Sequence, residues 1–414
     1  MMGPGLALEQ APPFSVPLRF FLTAPLFLMA AGMAAAWQPA WTTAPGVPAT
    51  LALTHLLTLG YLSMVMLGAL TQLLPVVAGV PLPVVRRVSA FSHAGLTLGT
   101  PMLCWGLYDG EPIALLAGGV LLGLGIGVFL AAALISLAKG RSLDTLRAMV
   151  VALASLAVVL AIGIILIGWL SGLWQPDEPE RWLSRHVAAG LGGWIGMLVM
   201  GTAWQVVPML QITPPYPSHL TRGLLVTGAA SLIASLTLPS PGRVAGDIGL
   251  SLVAVVFAVA TLELQRRRKR KVADAALSFW RLGMVALIAA AALLPFAEAP
   301  ASRQLAGLLF LAGFALSVVN GMLYKIVPFL AWFHLQAQKG IMASGLPSMK
   351  DYLPDRLANG QLAIHTAALA CLLAAPFLPV LAVPGGLLLA VSSAWLAWNL
   401  LRVIRLFRHL GGVA

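Results

Sequence analysis

Apolar runs of about twenty residues recur along almost the whole chain, and each is long enough to cross a hydrocarbon core of roughly 30 Å as a helix. In lipid every backbone N–H and C=O must find its partner inside the protein, so runs of this kind are expected as helices. A barrel would instead need shorter segments alternating with polar positions, which this sequence lacks. Of the 414 residues 60% are hydrophobic and 9% charged, against roughly a quarter charged in soluble domains. The expected fold is therefore all-α: a polytopic membrane protein with one transmembrane domain over residues 1–414. Twelve spans are expected, at 18–37, 51–78, 87–107, 112–138, 146–172, 184–211, 220–238, 244–265, 277–296, 303–334, 361–378 and 380–405. The opening stretch MMGPGLALEQAPPFSVPLRF lacks a basic start and reads as a lead into the first helix, not as a signal peptide.

The connections sort by charge. One side carries Arg86, Arg87, Lys139, Arg141, Arg147, Arg222, the run QRRRKRK at 265–271, Lys339, Lys350, Arg356, Arg402, Arg405 and Arg408. The other carries QPAWTTAPGVPAT, YDGEP, WQPDEPERW, PSPGR and FAEAPASR. Positive loops mark the cytoplasmic side, so both termini are expected inside, in a bacterial inner membrane. The net charge of +12 is absorbed by this topology. It argues for a lipid bilayer as the partner and not for nucleic acid, although the Lys/Arg run also suits anionic lipid. Cys104 and Cys371 fall inside expected helices and are read as free thiols.

Three expected helices are versions of one another. The pattern G-x-x-x-[QK]-x-x-P appears as Gly68, Gln72, Pro75, then as Gly201, Gln205, Pro208, and again as Gly321, Lys325, Pro328. It recurs every fourth helix, which implies three four-helix units of about 18–138, 146–265 and 277–405 around a pseudo-threefold axis. Small residues that permit close helix approach, with prolines that bend helices, would produce the same glycines and prolines. The first two copies add a histidine, His55 and His186, which precede the repeated proline by 20 and 22 residues. The third copy has Ala306 or Leu308 at that place.

Polar groups inside membrane helices are costly and point to function. His55 and His186 lie at similar depth on repeat-related helices, an arrangement that suits a bis-imidazole haem or a copper ion. Arg181, Arg185 and Arg303 lie near the same end, where guanidinium groups would pair with haem propionates. Met64, Met66, Met197 and Met200 are either soft ligands or packing residues. His93 and His365 lie nearer the opposite side, as core hydrogen-bonding residues or a second haem or metal site. His219, His334 and His409 read as solvated. From His55 to Gln72 is about 25 Å along a helix, so the layer of Gln72, Gln205 and Lys325 is a separate polar axis. It would serve protons or a solute, unless Lys325 extends to the interface. No phosphate loop, C-x-x-C, H-E-x-x-H or nucleophile elbow is present.

Twelve helices in three units of four resemble the catalytic subunit of the haem–copper oxidase superfamily. The stretch from His55 through AGVPLPVVRRVSAFSH, which ends at His93, is similar to its helix, loop and histidine pattern. The spacing also resembles the NnrS family of twelve-helix membrane proteins associated with haem, copper and nitric oxide stress. There a histidine precedes a glycine by five residues, a second glycine by thirteen and a proline by twenty, as His55, Gly60, Gly68 and Pro75 do here. The resemblance implies that His55 is a haem ligand and that His186 matches the helix-6 histidine that binds copper in oxidases. The departures are specific: helix 7 has no paired histidines, helix 10 has no H-x-H, and Leu56 follows His55 where NnrS has an acidic residue. The expectation is a binder of haem b or copper that acts in electron transfer or the nitric oxide response. It would be oxidoreductase-like at most and not a proton-pumping oxygen reductase, working with an electron-transfer partner or as a homo-oligomer. The alternatives are a small-solute transporter or channel built on the Gln72, Gln205 and Lys325 layer, or an assembly factor without cofactor.

Overall fold

The computed structural model describes residues 8–79, 81–138, 143–269, 272, 274–340 and 347–413. The expected inner-side charges Lys139, Arg141, Arg270 and Lys271 lie outside the described residues. Among the described residues there are twelve long helices and no strand. They are α1 Ser15–Trp37; α2, which joins Pro48–His55, Leu56–Ser63 and Met64–Ala78; α3 Val85–Asp109; α4 Pro112–Leu137; α5 Asp144–Leu170; α6 Pro179–Gln211; α7 Ser218–Thr237; α8 Gly242–Arg266; α9 Ala275–Leu293; α10 Pro300–Lys339; α11 Asp355–Ala374; and α12 Ala382–His409. Each expected span falls on one of them.

Eleven of the twelve are long and apolar enough to cross a membrane. Large apolar side chains such as Leu26, Ile113, Leu134, Val226 and Val285 stand exposed on their outer faces. In water such a surface would be an aggregation liability, whereas lipid covers it without cost. The architecture is therefore compatible with a polytopic membrane protein. The twelfth helix, α3, opens on Arg86 and Arg87 and carries Ser89, Ser92, His93, Thr97 and Thr100. It lies closely along α4, with Gly95 against Gly125 and Gly118 against Leu103. Helix α11 starts at Asp355, ahead of the expected 361, because its polar first turns belong to the interior: Gln361 is buried and donates to Ser392 Oγ at 2.7 Å.

One packing arrangement occurs three times. In α2, Gly60 and Gly68 seat Phe27 and Phe20 of α1; in α6, Gly193 and Gly201 seat Ser155 and Ala148 of α5; in α10, Gly313 and Gly321 seat Ala286 and Phe279 of α9. The glycines of each pair are eight residues apart, while their partners are seven apart. An unbroken α-helix presents the same face about every seven residues, so the extra residue has to be taken up. It is taken up in a π-helical stretch in each case: Leu56–Ser63, Ala188–Met197 and Leu309–Ala315. Helix α4 then packs on α5, α8 on α9, and α12 on α1. That return is tight, since a methyl group on Gly32 would meet the backbone of Gly386 and Ala390. The three π-helical helices meet in the interior, where Trp194 Nε1 donates to Ser63 Oγ at 2.9 Å and the Tyr61 hydroxyl donates to Asn320.

Gly201→Ala places a methyl group onto Ala148 and is expected to lower stability by about 1–3 kcal/mol, read as thermal unfolding in detergent. Ala148→Gly in the same chain should recover most of the loss. Gly223→Ala, where nothing lies within 4 Å, should be neutral or stabilising by up to about 1 kcal/mol.

Candidate functional site

His55 ends the short α-helical start of α2, and His186 occupies the equivalent start of α6, each just before its π-helical stretch. Every residue added to a helix turns the preceding segment by about 100°, so these stretches set the direction in which the histidines face. The two rings come together, with centroids 6.2 Å apart and planes inclined by 30°. His55 Nδ1 lies 2.8 Å from the Leu51 carbonyl oxygen. That nitrogen is therefore the protonated one, and the Nε2 lone pair is left open. A histidine that donates one ring N–H to a backbone carbonyl while offering the other nitrogen is the usual form of a metal ligand. His186 packs on Gly163 of α5, with the Val159 carbonyl beside its ring.

The donor set is limited to these two imidazoles. Among the described residues no group of three or more His, Cys, Asp or Glu side chains converges on one point. Two imidazoles suffice for an ion that brings its remaining ligands with it, as haem iron does. At the same end of the helices, Arg185 lies over the Trp182 ring at 5.4 Å, Arg181 pairs with Glu178 at 2.9 Å, and Arg303 donates to the Glu298 carbonyl at 2.8 Å. All three arginines thus stand at the histidine end of the fold, each held by a neighbour in sequence.

His93 and His365 are engaged separately. His93 Nε2 lies 2.9 Å from Thr23 Oγ1 with its ring edge-on to Phe20, and His365 Nε2 lies 2.9 Å from Ser317 Oγ beside Phe279. Phe20 and Phe279 are the residues seated on the repeated glycines Gly68 and Gly321, so the two histidines occupy related places in the first and third sets of helices. His334, expected to be solvated, is instead half-buried and stacked on Phe14 with centroids 5.4 Å apart.

Of the polar layer, Gln72 is buried, Gln205 half-buried, and Lys325 does not run to the interface. Lys325 Nζ forms a 3.0 Å ion pair with Asp274, whose other oxygen accepts from the Leu277 amide that opens α9. Burial pushes the Asp274 carboxyl up, but the amide and the ammonium outweigh it and hold the group below its ordinary value. The stability linked to this shift is therefore present at neutral pH and is lost as pH falls through the carboxylate range. Asp274 sits just beyond the basic run, a position that gave no sign of a partner in helix 10.

A second polar feature had only a partial sequence signature, in His365 and in Asn320 and Tyr324 beside Lys325. Between α10, α11 and α12 lie Ser317, Asn320, Tyr324, Gln361, His365, Ser392 and Asn399, all buried, with Asn399 Nδ2 donating to Tyr324 Oη at 2.9 Å. The positions of α2 and α6 that match Ser317 and Asn320 hold Met64, Leu67, Met197 and Met200, which are core packing residues. Only the three-helix register brings the polar set together. The sequence as a whole matches no protein-family model and no curated protein.

Lys325→Met removes the ammonium from the buried Asp274 carboxylate, leaving it the Leu277 amide and the charge of Arg268, and is expected to cost about 3 kcal/mol in thermal unfolding. Adding Asp274→Ser, which removes the charge but keeps an oxygen to cap α9, should restore most of that stability.

Proposed function

We propose that this chain is a haem- or copper-binding protein of the bacterial inner membrane. In this reading it has three four-helix units around a pseudo-threefold axis, with both termini cytoplasmic and the His55 and His186 site in the outer half. The observation that carries the reading is the pairing of these two imidazoles at 6.2 Å at the starts of α2 and α6, with the Nε2 lone pair of His55 left open. Two side-chain ligands leave the rest of the coordination sphere to the cofactor, which favours haem b over copper. When bound, haem would supply one-electron chemistry. His55 and His186 would hold it through ring nitrogens, and the Leu51 carbonyl fixes the tautomer of His55. Arg181, Arg185 and Arg303 stand at the same end as cationic partners for propionates.

The recurring π-helical stretches and glycine seats support the three-unit reading, since one arrangement of first and second helices is built three times. With the His55, Gly60, Gly68 and Pro75 spacing, this likens the chain to NnrS and to oxidase catalytic subunits. The role that follows is electron transfer or a nitric oxide response, without an oxygen-reducing centre. The Lys325 charge is neutralised by Asp274, which gives that layer a structural part rather than a transport one.

Purified from cells supplied with haem and copper, the protein should show a Soret band or stoichiometric copper. His55→Ala and His186→Ala should each abolish it, while His365→Ala should retain it. Protein with neither haem nor copper would refute the reading, and retention of cofactor by both alanine variants would refute the site.

A further inference from the structure

At the end of the fold opposite the histidine pair, a cavity of about 490 Å³ opens where α1, α3, α10 and α12 come together. Its wall includes Arg86 at the start of α3, His334 and Lys339 in the last turns of α10, and Phe14 ahead of α1. The chain after α12 closes one side. Gly411, with φ +81°, turns it back over α10, and Gln338 holds it with two hydrogen bonds, Nε2 to the Val413 carbonyl at 2.7 Å and Oε1 from the Val413 amide at 3.0 Å.

The electrostatics of the wall are one-sided. No acidic side chain lines the cavity. Neither Arg86 nor Lys339 has an acidic partner among the described residues, although Arg147, Arg181, Arg222, Arg243, Arg266, Arg267 and Lys325 all do. The His334 ring is fixed by stacking on Phe14 and by an edge contact with Phe333, and its Nε2 is buried without a partner. Two cations without acidic partners repel one another across the cavity unless an anion joins them, and such an anion would also give the imidazole nitrogen a partner. A guanidinium, an ammonium and an imidazole N–H together suit the oxygens of a phosphate group. Basic pockets between membrane helices take up acidic lipid head groups in this way.

We propose that this cavity is a binding site for a phosphate-bearing anion, held by Arg86, Lys339 and His334. An acidic phospholipid head group and free phosphate share this chemistry, and the two are separated by experiment. The site is independent of the haem or copper reading, since it uses none of those residues.

The test uses the full-length protein in nanodiscs with equal phosphatidylglycerol and phosphatidylcholine, with bound lipid counted by native mass spectrometry. Alongside it, thermal unfolding in detergent is compared in sodium phosphate and in sodium chloride of equal ionic strength. Retention of phosphatidylglycerol over phosphatidylcholine by the wild type, with that preference reduced roughly thirtyfold in Arg86→Gln/Lys339→Gln, supports the site with a lipid head group as its ligand. Stabilisation by phosphate in the wild type but not in the double variant supports it with free phosphate. Arg222→Gln, at the same end but outside the cavity, should behave as wild type. His334→Phe keeps the stack on Phe14, tests the imidazole without removing a surface charge, and should weaken whichever ligand binds. The proposal is overturned if the double variant keeps the wild-type preference and response, or if the wild type shows neither.

Discussion

The close approach of α2, α6 and α10 to α1, α5 and α9 governs the arrangement of everything else. Each approach is made through two glycines, because any side chain at those points would meet its neighbour. The two seats match only if eight residues on one helix cover the length of seven on the other. A regular α-helix cannot do this, and the π-helical turn in each of the three helices supplies the missing residue. Apolar surface is no guide to helix pairing in lipid, where neighbouring side chains are as apolar as the solvent. Shape therefore decides the pairing, and glycine spacing is the part of shape that the chain controls most directly.

Polar groups follow from the same frame. The π-helical stretches carry the interior aromatic residues Tyr61 and Trp194, whose polar atoms find partners on the other repeat-related helices. They also stand directly after His55 and His186, so that a packing requirement at mid-helix fixes how the two imidazoles meet. Helix α10 departs from α2 and α6. It has no counterpart to these histidines, and it holds the Lys325–Asp274 pair together with the polar side chains shared among α10, α11 and α12.

Much of this was legible in the residue order and some was not. Eleven of the twelve spans follow from apolar length, since a membrane helix needs little else; the polar α3 does not. The repeat was visible in Gly68, Gly201 and Gly321 with their glutamine or lysine and their proline. The earlier glycines Gly60, Gly193 and Gly313 were equally regular, but an eight-residue spacing means little until its seven-residue partner is seen on another helix. Lys325 read as a charge bound for the interface because its partner lies 51 positions away at the start of α9. His334 read as solvated from its place near a helix end, yet Phe14 of a distant segment covers it. Gln361 and Asn399 belong to no motif in the sequence, and only the register of three helices makes them a group. In each of these cases the missing information was tertiary: which face meets which, and at what depth.

The account rests on His55 and His186 acting on one ion. X-ray absorption at the metal edge of the purified, cofactor-loaded protein reads the ligands directly. The predicted result is two imidazole nitrogens at about 2.0–2.1 Å from a single metal, both lost when His55 and His186 are replaced together. A metal whose shell holds no imidazole, or one whose imidazole signal survives the double replacement, would contradict it.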